Sequence, residues 1–286
     1  MNNSKKMAGV AGLAGFLWVG ITAAIAASQR KLVFNPTDER GVPTPRSSAH
    51  RTRAVVLRAK DGTKLSGWLM TPSIAGPHPA VIYFGGRSEE VSWVARDAGR
   101  MFPGMMVLVV NYRGYGKSHG IPGEQHMVDD GRMLFDWLAK RGHVDPTKVA
   151  VVGRSLGSGV AVQVALERAV HALVLITPYD SILALARKRF RAVPVGFVLR
   201  HKFESVKYAA LLKAPTYVLR AAIDDIVPHA HTDRLVAKLA RLDLDETVPD
   251  SDHNNIPYLA STQEKIARFL NAQFDRPRLD ELPRVA

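Results

Sequence analysis

The sequence predicts an α/β fold in which a mostly parallel sheet is covered by helices on both faces. Short unbroken apolar runs, such as residues 79–84 and 105–111, are typical of strands that are buried on both faces. Helical segments separate these runs, and strands that alternate with helices form parallel sheets. Because 47% of the 286 residues are hydrophobic, the chain can bury the core of one α/β domain with a short extension.

The uncharged, apolar composition of the N-terminal segment predicts a membrane anchor. Residues 7–27 carry no charge, Lys5 and Lys6 precede them, and the run is long enough for a helix to cross a bilayer. We therefore expect residues 1–28 to attach the protein to an inner or plasma membrane by a single helix. The alternative is a signal segment, because small residues at its end resemble a cleavage site, and the protein would then be secreted or periplasmic.

A tether is expected between this segment and the body of the protein. Residues 29–50 are rich in proline, threonine and charged residues without periodicity, so a single domain is predicted over residues 51–286. Two segments with alternating apolar residues, 53–59 and 64–71, open the domain. An Asp-Gly turn joins them, which predicts a β-hairpin.

Further strands and helices alternate along the rest of the domain. Apolar runs predict the strands, and periodic apolar stripes predict the helices. In chain order these elements are a strand at 79–84, a helical stretch, a strand at 105–111, a helix at 125–140, a strand at 149–152, a helix through 160–169, strands at 172–176 and 215–220, a helix at 229–242, a strand at 244–248 and a helix at 257–274.

A long insertion interrupts the alternation at residues 178–214. It combines a basic run with an apolar run, and a connection of this length usually forms its own small substructure. Two interpretations are open. The insertion is either a lid that contacts an apolar substrate or a membrane surface, or a single crossover helix with a solvated basic face.

A nucleophile elbow is predicted at residues 153–157. The pattern Gly153-x-Ser155-x-Gly157 stands between the strand at 149–152 and a helical segment. In such an elbow the serine occupies a sharp, strained turn, and a Cβ atom at either glycine would collide with the neighbouring backbone. Ser155 is therefore the candidate nucleophile.

A carboxylate and a histidine that can serve this serine follow it in the chain. A serine hydroxyl needs a base, usually histidine, and a carboxylate holds that histidine in the required tautomer. Asp224 follows the strand at 215–220, with Asp225 as an adjacent competitor, and His253 follows the last short strand. The order serine, acid, histidine is one of the known chain orders of such a triad.

Two backbone amides are candidates for an oxyanion hole. Acyl transfer develops negative charge on the carbonyl oxygen, which preorganised N–H groups stabilise by several kcal/mol. One donor is expected to be Leu156, the residue after the candidate nucleophile. The other is expected to be Arg87, because Gly85 and Gly86 after the strand at 79–84 allow the backbone to approach closely.

The remaining histidines offer no second site. His229 and His231 directly follow the acidic pair, and we expect them at the surface or as caps of the next helix. The sequence has neither an HExxH motif nor a paired histidine and carboxylate spacing, so we expect no metal and no cofactor. The absence of cysteine excludes disulfides, thiolate metal sites and a cysteine nucleophile.

The charge favours an anionic surface as a partner. The chain has 39 Lys and Arg against 26 Asp and Glu, a formal net charge of +13. Such a charge suits lipid headgroups or nucleic acid. The cations are scattered, without a basic helix or a patch interleaved with aromatic residues, so we expect a membrane and no nucleic acid.

Several motifs occur together in a recognisable order. After the hydrophobic segment, the chain has YFGGR, NYRGYGKS, GRSLG, DDIVP and HN, which begin at Tyr83, Asn111, Gly153, Asp224 and His253. In this combination the sequence resembles the membrane-anchored α/β-hydrolase domain-containing serine hydrolases, including their bacterial members and prolyl oligopeptidase-like relatives.

The resemblance implies an α/β-hydrolase fold with an eight-stranded sheet and a triad of Ser155, Asp224 and His253. The D-x-x-V-P spacing of the family favours Asp224 over Asp225. Where many relatives have His-Gly-Asn, this chain has Gly85-Gly86-Arg87, and where many have Asp it has Asn111. The first departure changes the polar groups beside the oxyanion site, and neither removes a member of the triad.

The function implied is serine hydrolysis of acyl esters or thioesters. The substrate would be a small-molecule or lipid acyl compound, or an acylated molecule, cleaved through an acyl-enzyme intermediate. A serine peptidase of the prolyl oligopeptidase type is the alternative from the same chemistry. A catalytically silent binding protein with the same fold is the alternative from another class.

Overall fold

The computed structural model describes residues 3–37 and 41–276, with side chains from residue 16 onward. Eight strands form one sheet. In chain order they are β1 (His50–Arg58), β2 (Lys64–Pro72), β3 (His78–Phe84), β4 (Met106–Val110), β5 (Val144–Arg154), β6 (Leu173–Ile176), β7 (Thr216–Ile223) and β8 (Leu242–Asp252). Eight α-helices accompany them in this part of the chain: α1 (Asn3–Val33), α2 (Trp93–Met101), α3 (Glu124–Ala139), α4 (Leu156–Glu167), α5 (Ile182–Arg189), α6 (Val195–Val198), α7 (His229–Val236) and α8 (Ala260–Phe274).

The strand order across the sheet is β1-β2-β4-β3-β5-β6-β7-β8. The β1–β2 and β2–β4 pairs are antiparallel, and the other five pairs are parallel. The predicted hairpin is β1 and β2, whose turn is closed by a 2.9 Å bond from the amide of Gly62 to the carbonyl of Ala59. The expected eight-stranded, mostly parallel sheet is confirmed.

The sheet separates two apolar cores. Alternate residues of the central strands point to opposite faces, so Ile82 and Val151 pack in one core and Val81 and Val152 in the other. Helices α3 and α4 cover the first face, and α2 and α8 cover the second. Because both faces are covered, the central strands are apolar throughout, as the unbroken runs in the sequence indicated.

The ends of several predicted elements differ from the structure. Strand β5, for example, spans Val144–Arg154 instead of 149–152. Helix α7 ends at Val236 instead of residue 242, because Leu242 already pairs with Thr216 at the start of β8. Strand β8 is longer than the predicted 244–248 and continues to Asp252. The predicted helix at 257–274 divides into a short 3₁₀ turn and α8.

Helix α1 crosses the predicted boundary between anchor and tether. It continues to Val33, and Phe34 after it is completely buried in the body of the protein. Residues 38–40 of the predicted tether, and the side chains before residue 16 of the predicted anchor, lie outside what the structure describes. Within the described residues, no helix combines the length and the apolar character that a membrane crossing requires.

The insertion at residues 178–214 forms two short helices, α5 and α6, followed by two 3₁₀ turns. It is therefore not a single crossover helix. Its first residues are fixed to α7, since the buried Asp180 carboxylate contacts His231 at 2.7 Å and Arg234 at 2.6 Å. Our expectation that His231 lies at the surface is wrong, because this carboxylate draws the imidazole into the interior, where it is 3% exposed.

Candidate active site

Ser155 occupies the turn between β5 and α4. Its φ of 47° and ψ of −117° lie outside the usual regions for a residue with a side chain. The turn depends on the adjacent glycines, because a Cβ at Gly157 would lie 2.2 Å from the Phe84 carbonyl oxygen. A Cβ at Gly153 would lie 2.5 Å from the Gly157 carbonyl oxygen. The sequence therefore produces the strained elbow that its spacing predicts.

The structure brings Ser155, His253 and Asp224 together. His253 Nε2 lies 2.8 Å from Ser155 Oγ, and His253 Nδ1 lies 2.8 Å and 3.0 Å from the two carboxylate oxygens of Asp224. An ionised carboxylate only accepts hydrogen bonds, so Nδ1 carries the proton and donates it. Nε2 is then free to accept the hydroxyl proton of Ser155.

Backbone amides hold the Asp224 carboxylate in this position. Its Oδ1 accepts hydrogen bonds from the amides of Ile226 at 3.0 Å and Val227 at 2.6 Å. Its side chain is only 3% exposed, whereas Asp225 is exposed to solvent. The neighbouring His229 begins α7 as expected, and its ring bonds to the carbonyl of Ala221. The geometry thus brings Asp224, and not Asp225, to the histidine.

The two predicted oxyanion donors border the same space as Ser155. Leu156 is the first residue of α4, and Arg87 follows β3, and both line one cavity with Ser155 and His253. Neither amide has a hydrogen-bond acceptor within the described ranges of the chain. The Arg87 guanidinium points elsewhere and bonds to carbonyls at the end of α1. The arrangement leaves both N–H groups available to a ligand.

A buried carboxylate that no pattern in the sequence predicts links the three loops of the site. Glu89 accepts hydrogen bonds from the amide of Gly86 at 2.6 Å and from Arg154 Nη1 at 2.7 Å. Arg154 Nη2 in turn donates to the carbonyl of His253 at 2.9 Å. The pair therefore connects the loop after β3, the elbow and the histidine loop. The only signal in the sequence was the arginine beside Ser155, and nothing local marked its partner.

The charges of this cluster are stabilised by each other. Burial alone would lower the pKa of the Arg154 guanidinium, but the Glu89 carboxylate raises it above its usual value. Burial, and then the charge of Glu89, raises the pKa of Tyr83 well above its usual value. Tyr83 therefore remains a neutral donor, and its hydroxyl bonds to Glu89 at 2.9 Å, as does the indole N–H of Trp93.

Loss of one member of the Glu89–Arg154 ion pair is expected to lower both the stability and the activity of the protein. In Glu89→Gln we expect the free energy of unfolding to fall by about 3 kcal/mol and Tm by about 6 to 12 °C, because Arg154 is left buried and unpaired. We expect kcat to fall roughly 10- to 100-fold, since the loop after β3 and the histidine loop lose a shared contact. Urea unfolding and turnover kinetics measure the two effects.

The matched control is Asp129→Asn, which removes one member of a partly exposed pair with Arg132, whose second partner Glu167 remains. It is expected to cost less than about 1 kcal/mol and to leave kcat unchanged. If Glu89→Gln were as stable and as active as this control, the buried pair would have no part in holding the site.

The cavity in front of Ser155 has a volume of about 770 Å³. Most of the side chains that line it are apolar, and they come from the C-terminal part of α1, from the insertion and from the loop at Ile226. The charged residues that line the cavity are Arg87, Arg154, Lys188, Arg189 and Asp225, and of these the Arg87 guanidinium is directed away to the end of α1. In the described part of the chain, no group of three or more histidine or acidic side chains is arranged to hold a metal ion.

Comparison with known proteins places this site in a family. The sequence profile of the family described as X-Pro dipeptidyl-peptidase (S15 family) matches residues 61–269, which include Ser155, Asp224 and His253. The chain belongs to the S15 family. It is therefore a hydrolase, as the resemblance implied.

Relatives of this S15 chain cover most of its length. An uncharacterized protein of Mycobacterium tuberculosis is 34% identical over 254 residues, which are 88% of this chain and 90% of that protein. The alpha/beta hydrolase domain-containing protein WAV2 of Arabidopsis thaliana is 27% identical over 80% of this chain and 81% of its own. Among solved structures, the acetyl xylan esterase from Paenibacillus sp. R4 superposes with a TM-score of 0.66 at 20% identity, covering 81% of this chain and 86% of its own. The predicted α/β-hydrolase fold is confirmed.

Proposed function

We propose that the protein is a serine hydrolase that cleaves acyl esters or thioesters through an acyl-enzyme intermediate on Ser155. The observation that supports this most strongly is the hydrogen-bonded series Ser155–His253–Asp224, which opens into a large and mostly apolar cavity. A serine that is bonded to the free nitrogen of a carboxylate-oriented histidine is activated for nucleophilic attack.

The proposed reaction has two steps. Ser155 Oγ attacks the carbonyl carbon, and His253 Nε2 takes the hydroxyl proton while Asp224 stabilises the imidazolium. The amides of Leu156 and Arg87 stabilise the oxyanion. His253 then gives its proton to the departing alcohol or thiol, which leaves an acyl-enzyme. Water attacks this ester with His253 again as base, and the carboxylic acid is released with Ser155 restored.

The charges at the cavity favour esters over peptides with a free N-terminus. An enzyme that removes dipeptides must bind an ammonium group, for which carboxylates are the natural partners. Apart from the triad, the described residues that line the cavity include one carboxylate, Asp225, and two cations, Lys188 and Arg189, that are not engaged elsewhere. Arg87 and Arg154 also border it, but their guanidinium groups bond to the end of α1 and to Glu89. Membership of the S15 family keeps an X-Pro dipeptidyl peptidase as the second candidate, and the excess of cations supports the acyl ester hydrolase.

A substrate panel separates the two candidates. We expect hydrolysis of p-nitrophenyl esters, from acetate to dodecanoate, and no release of p-nitroaniline from Gly-Pro or Ala-Pro p-nitroanilide. Ser155→Ala serves as the control for non-enzymatic hydrolysis of the esters. Cleavage of the dipeptide anilides with a kcat/KM equal to that for the esters would contradict the proposal and support the peptidase.

We also propose that the N-terminal segment is retained and attaches the protein to a membrane. The uncharged run at 7–27 supports attachment. A contact with the body of the protein supports retention. The indole N–H of Trp18 donates to the carbonyl of Ala192 at 2.6 Å, and cleavage near residue 28 would remove this tryptophan. Carbonate extraction of membranes from cells that make the protein should leave it in the pellet, and its release would contradict the proposal.

A further inference from the structure

One wall of the cavity comes from the N-terminal helix, which the sequence assigned to an anchor and a tether. Ile25, Ala26 and Leu32 of α1 line the same cavity as Ser155. Apolar side chains of α5 and α6 line it as well. The space in front of the candidate nucleophile is therefore a cleft between two apolar helical surfaces.

Polar contacts hold α1 against the insertion. Gln29 is 8% exposed, and its side-chain oxygen accepts a hydrogen bond from the amide of Arg200 at 2.8 Å. Its side-chain nitrogen donates to the carbonyl of Val198 at 3.3 Å. A buried amide side chain that is bonded in this way fixes the rotation of its helix. The face of α1 that includes Ile25 and Ala26 is thereby directed into the cleft.

The end of α1 is also fixed to the loop that follows β3. Arg87 Nε donates to the carbonyl of Leu32 at 3.0 Å, and Nη2 donates to the carbonyl of Lys31 at 3.3 Å. The amide of Ser88 donates to the carbonyl of Phe34 at 3.2 Å. The last carbonyls of a helix lack partners within it and favour a cation. Arg87 thus binds the helix end with its side chain, while its amide borders the cleft.

We propose that residues 25–33 of α1 determine which acyl chain the protein accepts. The proposal rests on the proposed function: an unbranched apolar acyl chain lies between α1 and the insertion, with its carbonyl group at Ser155. Burial of each methylene group in such a cleft strengthens binding roughly fourfold. A bulky side chain in the α1 wall shortens the acyl chain that the cleft can hold. A bulky side chain on the outer side of the helix leaves that length unchanged.

Fatty-acid binding tests the wall without relying on hydrolysis. The full chain is prepared with Ser155→Ala as the parent variant. Ala26→Phe is added to fill the cleft, and Ala27→Phe is the control, because it adds the same side chain at an exposed position outside the cleft. Dansylundecanoic acid is the fluorescent probe, and dodecanoate and hexanoate are the competitors. We expect Ala26→Phe to raise the Kd for dodecanoate about tenfold or more, which is the loss of two or more methylene contacts.

We expect both variants to bind hexanoate within about twofold of each other, and Ala27→Phe to bind dodecanoate like the Ser155→Ala parent. Equal Kd values for dodecanoate in the two Phe variants would overturn the proposal. If Ala26→Phe does not fold, Ile25→Asn replaces it, with Ile21→Asn as its exposed control. Because binding is measured without Ser155, a protein that binds acyl chains as expected but hydrolyses no ester contradicts the proposed function alone.

Discussion

Ser155→Ala is expected to reduce kcat for every substrate of this hydrolase by roughly 10⁴- to 10⁶-fold. The substitution removes the oxygen that His253 Nε2 contacts at 2.8 Å, so no acyl-enzyme can form. What remains is the stabilisation that the two amides and the cavity give to direct attack by water. Initial rates with a p-nitrophenyl ester measure the loss. The enzyme concentration must be high enough to detect the residual activity.

The fold should tolerate this substitution. Ser155 has a φ of 47°, and alanine there keeps the same Cβ and the same backbone requirement. The hydroxyl makes no hydrogen bond to a described residue other than His253. We therefore expect a Tm within about 2 °C of wild type. A variant that kept its fold and more than about one hundredth of wild-type kcat would contradict the role of Ser155 as nucleophile.

Asp224→Asn is expected to lower kcat by roughly 10⁴-fold, and Asp225→Asn to change it by less than about twofold. An asparagine amide at position 224 can donate to His253 Nδ1, which stabilises the tautomer that has its proton on Nε2. That tautomer cannot accept the proton of Ser155. Asp225 is exposed and makes no such contact with the histidine.

The two aspartate variants control for each other, because they make the same chemical change at adjacent positions. Steady-state kinetics with one ester is sufficient for the comparison. A large loss of kcat in Asp225→Asn with a small loss in Asp224→Asn would reverse the assignment, and equal losses would show that neither carboxylate alone orients His253.

Local patterns in the sequence were sufficient for the sheet and for the residues of the elbow. Unbroken apolar runs mark strands that are buried on both faces, and the glycines around Ser155 mark a turn that no other residue type can form. Asp224 and His253 were predicted from their places after successive strands. The choice between Asp224 and Asp225 depended on the family resemblance, because both follow the same strand.

Contacts between distant segments were not predictable from these patterns. Glu89 and Arg154 are 65 positions apart, and only the fold shows that they form a buried ion pair. The same is true of His231, which Asp180 holds in the interior from 51 positions away. The composition of residues 29–50 predicts a tether, but the first of these residues end α1, whose carbonyls are bound by Arg87 and whose apolar side chains line the cavity.

Labelling with a fluorophosphonate probe shows directly whether Ser155 is the nucleophile, because such probes react covalently with an activated serine. The folded wild-type protein should gain the mass of one adduct, located by peptide mapping on Ser155, and Ser155→Ala should gain none. Absence of an adduct on the folded wild-type protein, or an adduct that persists in Ser155→Ala, would contradict the assignment of Ser155 as the nucleophile of a serine hydrolase.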